Sequence, residues 1–385
     1  MRTHVENQQL AVTLKENIAS ADKAVGMRRG RNYGIDFLRL FSMFYVVVLH
    51  TLRQGGVSDA LEVGSTGYAV NWFLQISAYC AVDIFAIISG YVSYSDKERP
   101  VKFSGYFNLW FQVVFYGCAI GLVMNVINTD WVTKTDFLKM FFPVSNSLYW
   151  YFTAYTGLFF VTPLINAGIR NTDEKILKRI FVFLVVIFSV VEIVTKKQKL
   201  DRGYTFAWLL ILYIMGGIIN KCNIGKRLKV YQGAVLIMLI NIAGLLWKLY
   251  GTDFSFFGFK INRDTFILYT SPLILAAAVI HVITFSKIKF SKGLVKIIAY
   301  AAPFSFAVYL LNTQYYIWNF VLKGTFAAWA DKEWYIMALA VVAFSVAFVT
   351  GAVLIDRIRM RLFRIAHVDK ISLLLEKLLN RMFSK

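Results

Sequence analysis

Ten apolar runs dominate this chain between residues 35 and 355: 35–52, 67–93, 105–127, 147–168, 180–195, 204–219, 230–250, 265–286, 297–319 and 334–355. Each is long enough, when helical, to span or nearly span a bilayer. Hydrocarbon offers the backbone no hydrogen-bond partners, so a spanning segment must close its bonds internally, as a helix does. A β-barrel would need short alternating strands, and the sequence has none of that pattern. The expected fold is all-α: a polytopic helix bundle of about ten spanning helices. The runs 180–195 and 204–219 are the shortest.

Charge sets the expected orientation. Lysine and arginine number 42 against 22 acidic residues, a net charge of +20, in a chain that is 58% hydrophobic. With a cytoplasmic N-terminus, the inside segments hold 29 basic residues and the outside loops 11, as the positive-inside bias requires. Ten spans then return the C-terminus to the cytoplasm. The surplus is therefore a topology signal and does not point to nucleic acid. One outside loop, 196–203, runs against the trend with Lys196, Lys197, Lys199 and Arg202, and it reads as a plain exception. Cys80, Cys118 and Cys222 form neither a disulfide framework nor a metal-type pair, and no Cys/His cluster has zinc-ligand spacing.

Three parts follow. Residues 1–34 form a polar cytoplasmic tail with no cleavable signal core, and the first run is expected to act as a signal-anchor; Met27 offers an alternative start. Residues 35–355 form one membrane domain. Residues 356–385 form a basic tail in which Ile371, Leu374, Leu375, Leu378 and Met382 recur at helical spacing. Such a helix lies on the anionic inner leaflet or against the protein's own loops.

A charge inside the hydrocarbon costs several kcal/mol unless it is paired or functional. The candidates are Asp36, Arg39, His50, Asp83, Glu192, Lys248 and His281. Lys248, Glu192 and His281 lie near span ends, where snorkelling or pairing accounts for them. Arg39 and His50 are different. Their separation of eleven residues returns a helix to within about 20° of the same face, with about 16.5 Å between them along the axis. Asp36 lies three residues before Arg39, close enough to pair with it. One face thus carries a cation near the inner side and an imidazole, a general base near neutral pH, toward the outer side.

These residues also carry a resemblance. Arg39-x10-His50, preceded by Gly34-Ile-Asp36-Phe-Leu, resembles the first-helix motif of the acyltransferase-3 family of integral membrane acyltransferases. Ala81-Val-Asp83-Ile-Phe-Ala-Ile-Ile-Ser89-Gly90-Tyr91 is similar to its second-helix segment. The stretch Phe141 to Tyr155 resembles that of bacterial surface-polysaccharide acyltransferases, and Ser305 to Asn312 a later segment that often ends in histidine. Two departures stand out: no arginine follows Arg99 in the region that many members make arginine-rich, and Asn312 replaces the common histidine.

The resemblance implies acyl transfer, most often of acetyl, from cytoplasmic acetyl-CoA or another acyl-CoA. The acceptor it implies is a hydroxyl on a cell-surface glycan or its lipid-linked precursor, in the plasma membrane of a bacterium. His50 is then general base or acyl carrier, and Asp36 orients Arg39. Arg39, Lys97, Arg99 and Lys102 are candidates for the CoA phosphates. Asp83 polarises the site or pairs within the bundle. Tyr149, Trp150, Tyr151 and Tyr155 form an aromatic girdle or a sugar-stacking platform, with Tyr309 and Asn312 also on the substrate side. No metal is expected. A glycan exporter is the competing class, although no inverted repeat or paired broken helices support it.

Overall fold

The computed structural model of the protein describes residues 30–98, 101–195, 199–256 and 259–383. These residues are mostly helical, with one short hairpin of β1 (Phe254–Phe256) antiparallel to β2 (Phe259–Ile261). Each of the ten apolar runs carries helix, and seven helices are long and apolar enough to cross a membrane. The expected count of ten differs because two helices, α8 (Phe206–Lys221) and α10 (Pro272–Phe285), are shorter, and run 180–195 is interrupted. There α7 (Glu174–Val185) passes through a π-helical turn, Val186–Val191, into Glu192–Thr195. Such insertions often mark functional positions; here Ser189 Oγ donates to the Thr270 carbonyl at 2.7 Å.

The seven long elements are α1 (Tyr33–Leu52), the pair α2 (Thr66–Tyr79) and α3 (Ala81–Ser93) joined at Cys80, α4 (Phe103–Ile127), α6 (Trp150–Asn171), α9 (Val230–Tyr250), the pair α11 (Lys292–Ala301) and α12 (Ser305–Thr313), and α13 (Trp334–Ile365). A short rim helix, α5 (Lys134–Phe141), precedes α6. Burial sorts these spans. The most apolar windows of α1 and α2–α3 are 61% and 67% buried, whereas those of α6, α9 and α13 are only about one-fifth buried. So α1 and α2–α3 form the middle of the bundle, and the lipid-facing positions belong to the outer helices.

Small residues make the close contacts in the middle, as expected where lipid removes the hydrophobic drive between helices. A Cβ added at Gly90 of α3 would fall 1.8 Å from the carbonyl oxygen of Tyr213 on α8. At Gly34 it would fall 1.9 Å from the carbonyl oxygen of Phe285. Gly34 thus lets the start of α1 dock on the end of α10. Asn32 completes the joint: its Oδ1 caps α1 by accepting from the Ile35 amide at 3.1 Å, and its Nδ2 donates to Ser286 O at 2.7 Å.

Helix α13 continues past residue 355, the expected end of the membrane domain, so Arg357 to Arg364 at the start of the basic tail are helical. Asp356, fully buried there, accepts from Gln112 Nε2 (3.1 Å), Tyr116 Oη (2.8 Å) and Arg359 Nε and Nη2 (2.8 and 2.6 Å). A buried carboxylate with that many donors is satisfied in place. Helix α14 (Val368–Phe383) docks on α4, with Ser372 Oγ donating to Asn108 and the Ser104 amide to Glu376. Its Ile371, Leu374, Leu378 and Met382 remain exposed, the amphipathic face the spacing predicts.

Candidate active site

Helix α1 fixes the axis of the site. Asp36 sits in its first turn, where the helix dipole favours negative charge. Its carboxylate accepts from Arg31 Nε and from Arg39 Nη1, the latter at 3.2 Å. The Arg31 and Arg39 side chains keep 24% and 31% of their exposure. One carboxylate between two guanidiniums leaves a net positive charge and unused N–H donors, the donor geometry that suits phosphate. Arg31 was not among the residues singled out from the sequence. Lys97 and Lys102 are exposed and take no part in these ion pairs. Arg99 lies outside the described residues.

His50 stands near the other end of α1. Asn312, from α12 and 262 positions away in sequence, meets it through a bond between His50 Nδ1 and Asn312 Oδ1. A carbonyl oxygen only accepts, so Nδ1 carries the proton and Nε2 keeps its lone pair. The bond therefore sets the tautomer a general base needs. Trp318 places its ring edge-on against the imidazole, 4.7 Å between centroids. His50 opens on a cavity of about 360 Å³ whose walls include Trp150, Tyr151, Phe306, Tyr309 and Trp318. The Tyr309 hydroxyl accepts from the Tyr151 amide at 3.3 Å, which leaves its own proton to donate.

The four aromatic residues adjacent in the sequence are not all brought to one surface. Successive helical residues point about 100° apart. Trp150 and Tyr151 line the His50 cavity, with Trp150 packed on Tyr204 at 4.8 Å. Tyr149 is buried, and its hydroxyl donates to the Leu310 carbonyl at 3.2 Å. Tyr155 faces the other way, toward Arg39. Asp83 is fully buried in the first turn of α3 and accepts from Trp208 Nε1 at 3.0 Å, while Oδ2 has no partner among the described residues.

The remaining intramembrane charges have structural partners. His281 is buried; its Nδ1 bonds the Ala277 carbonyl at 2.8 Å and its ring stacks on Phe285. Lys248 pairs with Asp264 and sits 3.9 Å above the Trp72 ring. The described residues hold no cluster of His, Cys, Asp and Glu fit to bind a metal. Sequence reasoning missed Trp318, Tyr204 and Tyr269, which reach the cavities beside His50 from segments distant in sequence, and also Phe306 of α12 and Arg53, the C-cap of α1 itself. No local signal marks them, because aromatic residues are ordinary at span ends.

A histidine of imposed tautomer in an aromatic cavity, on a helix whose far end carries guanidiniums, within a membrane-length bundle, has the parts of a membrane-embedded acyltransferase. Residues 32–357 match the family described as an acyltransferase domain, and the chain belongs to this acyltransferase-3 family. The matched region starts at the Asn32 cap of α1 and ends just past Asp356. Comparison with curated proteins and with solved structures gave no match.

Proposed function

We propose that this protein moves an acyl group, acetyl in the simplest case, from cytoplasmic acyl-CoA to a hydroxyl of a cell-surface glycan or its lipid-linked precursor in a bacterial plasma membrane. The observation that supports the reading is the Asn312–His50 bond, which engages Nδ1 and leaves Nε2 as the base of a histidine that lines a cavity. CoA phosphates bind at the Arg31–Asp36–Arg39 cluster. The pantetheine arm, comparable in length to the ~16.5 Å rise from Arg39 to His50, carries the thioester into the bundle.

His50 Nε2 takes the proton of the acceptor hydroxyl as its oxygen attacks the thioester carbonyl. The new C–O bond forms, and the C–S bond breaks when the tetrahedral intermediate collapses. The imidazolium returns its proton to the departing thiolate, giving free CoA and the O-acyl ester. The Tyr309 hydroxyl is positioned to donate to the developing oxyanion, a role that in other enzymes is worth about 3 kcal/mol. Asp83, with its unpartnered oxygen, polarises the region behind the aromatic wall.

The test uses the purified full chain in proteoliposomes, with [14C]acetyl-CoA and surface polysaccharide stripped of its esters by mild alkali. Alkali-labile label on the polysaccharide, matched by released CoA, is the expected result. Absence of both, in protein that is folded and inserted, overturns the reading.

A further inference from the structure

His50 lies at the midpoint of a chain of cavities rather than at the end of a pocket. The 360 Å³ cavity shares His50, Tyr204, Tyr269 and Trp318 with a second cavity of about 510 Å³. That one shares Arg53, Trp72 and Tyr79 with a third of about 720 Å³, walled by the loop at 199–202 and by Lys248. On its other side, the His50 cavity shares Leu148 and Tyr315 with a fourth of about 510 Å³ beside α5. The two outermost cavities have no lining residue in common. His50 thus lines both of the middle cavities, between the two outermost ones. Each space is of the size that holds a drug-sized molecule, so the whole far exceeds one sugar ring.

The walls suit sugar. Both arms are lined by aromatic rings together with hydrogen-bonding groups. In the arm beside α5, Trp131 stacks flat on Phe320 at 4.4 Å and 6°, next to Asp136, Asn146 and Gln314. In the opposite arm, Trp72 and Tyr79 stand beside Arg53, Arg202 and Asp264. Charges of both signs line each arm, so neither selects a strongly charged polymer. The loop forming the far wall holds Lys199, Asp201 and Arg202 at φ of 51°, 44° and 55°. Three non-glycine residues in the left-handed region cost energy and tend to persist where function fixes the backbone.

Resting on the acyl-transfer reading above, we infer that the acceptor is an extended oligosaccharide threaded across His50, with sugar subsites on both sides, so that internal rather than terminal residues are acylated. Each arm adds contacts that a monosaccharide or disaccharide cannot make.

The experiment compares acceptor lengths. De-esterified surface polysaccharide is partly hydrolysed and fractionated into disaccharides and chains of eight or more sugars, and kcat/KM for [14C]acetyl transfer is measured for each in proteoliposomes. We expect the long chains to be favoured by about tenfold or more, equivalent to 1.4 kcal/mol. Analysis of the labelled products should place the ester on internal sugars. Trp131→Ala in one arm and Arg202→Ala in the other should each cut the long-to-short ratio about threefold or more; the ratio within one preparation is insensitive to how much protein folds. Equal kcat/KM at all lengths, label confined to chain ends, or an unchanged ratio in both variants overturns the inference while leaving acyl transfer intact. Transfer to no acceptor of any length overturns the acyl-transfer reading itself, and this inference with it.

Discussion

The two ends of helix α1 are built from opposite materials. At the Arg39 end, two guanidiniums share one carboxylate and keep part of their surface open. At the His50 end, a neutral ring is held by an amide and an indole edge beside a mostly aromatic cavity. Fixed positive charge suits a polyanionic donor. A base whose Nδ1 is already engaged by Asn312, in an aromatic setting, suits a hydroxyl acceptor. One helix thus sets the guanidinium cluster and the imidazole about 16.5 Å apart, the separation on which the proposed division between donor binding and chemistry rests.

Substitutions that affect one end and spare the other test this division. The largest effect falls on His50→Ala, which should lower kcat by about 10²–10⁴-fold, the usual worth of a general base, with KM for acetyl-CoA little changed. Asn312→Ala releases the tautomer without removing the base and should cost about tenfold in kcat, on the scale of losing one hydrogen bond in a low-dielectric site. A loss in KM alone would contradict the positioning role. Arg39→Ala should instead raise KM for acetyl-CoA about tenfold, with kcat for bound donor largely kept. A pure kcat defect there would remove the phosphate role.

His281 is the control. It is an intramembrane histidine like His50, but its ring nitrogen bonds its own helix and it does not line the His50 cavity. His281→Leu should leave transfer within about twofold, since an apolar replacement of a buried polar group is often near neutral. The smallest effect concerns the rim of the trough. Thr133 caps α5 in a reciprocal box with Asp136, and its hydroxyl bond holds the Asp136 carboxyl below the ordinary value. Thr133→Ala should loosen α5 by about 1 kcal/mol, read as faster hydrogen exchange in residues 134–141. Because the carboxyl is held low, its contribution is present at neutral pH and fades as the pH falls through the carboxylate range.

The sequence and the structure agree where a signal is local. Apolar runs mark helices because hydrocarbon enforces them. Arg39 and His50 are legible as a pair because both lie on one helix, where the 3.6-residue turn fixes their register. Asn312 came forward only through family resemblance, and its bond to His50 spans 262 positions that no periodicity connects. Trp318 and Tyr204 were invisible for the same reason. The cluster Tyr149 to Tyr155 misled in the opposite direction: adjacency in sequence suggested one surface, and the helix turn divided it among a core bond, the His50 cavity and the Arg39 side. Seven described helices reach membrane length, because the other apolar runs form shorter helices or pass through a π-helical turn.

Sidedness tests the central claim most directly. Proteoliposomes holding the protein in one orientation receive [14C]acetyl-CoA on a single face, with de-esterified glycan on one face or the other. We predict label on the glycan only when acetyl-CoA meets the Arg39 end and glycan meets the His50 end. Equal transfer with donor and acceptor confined to the same face would contradict the account.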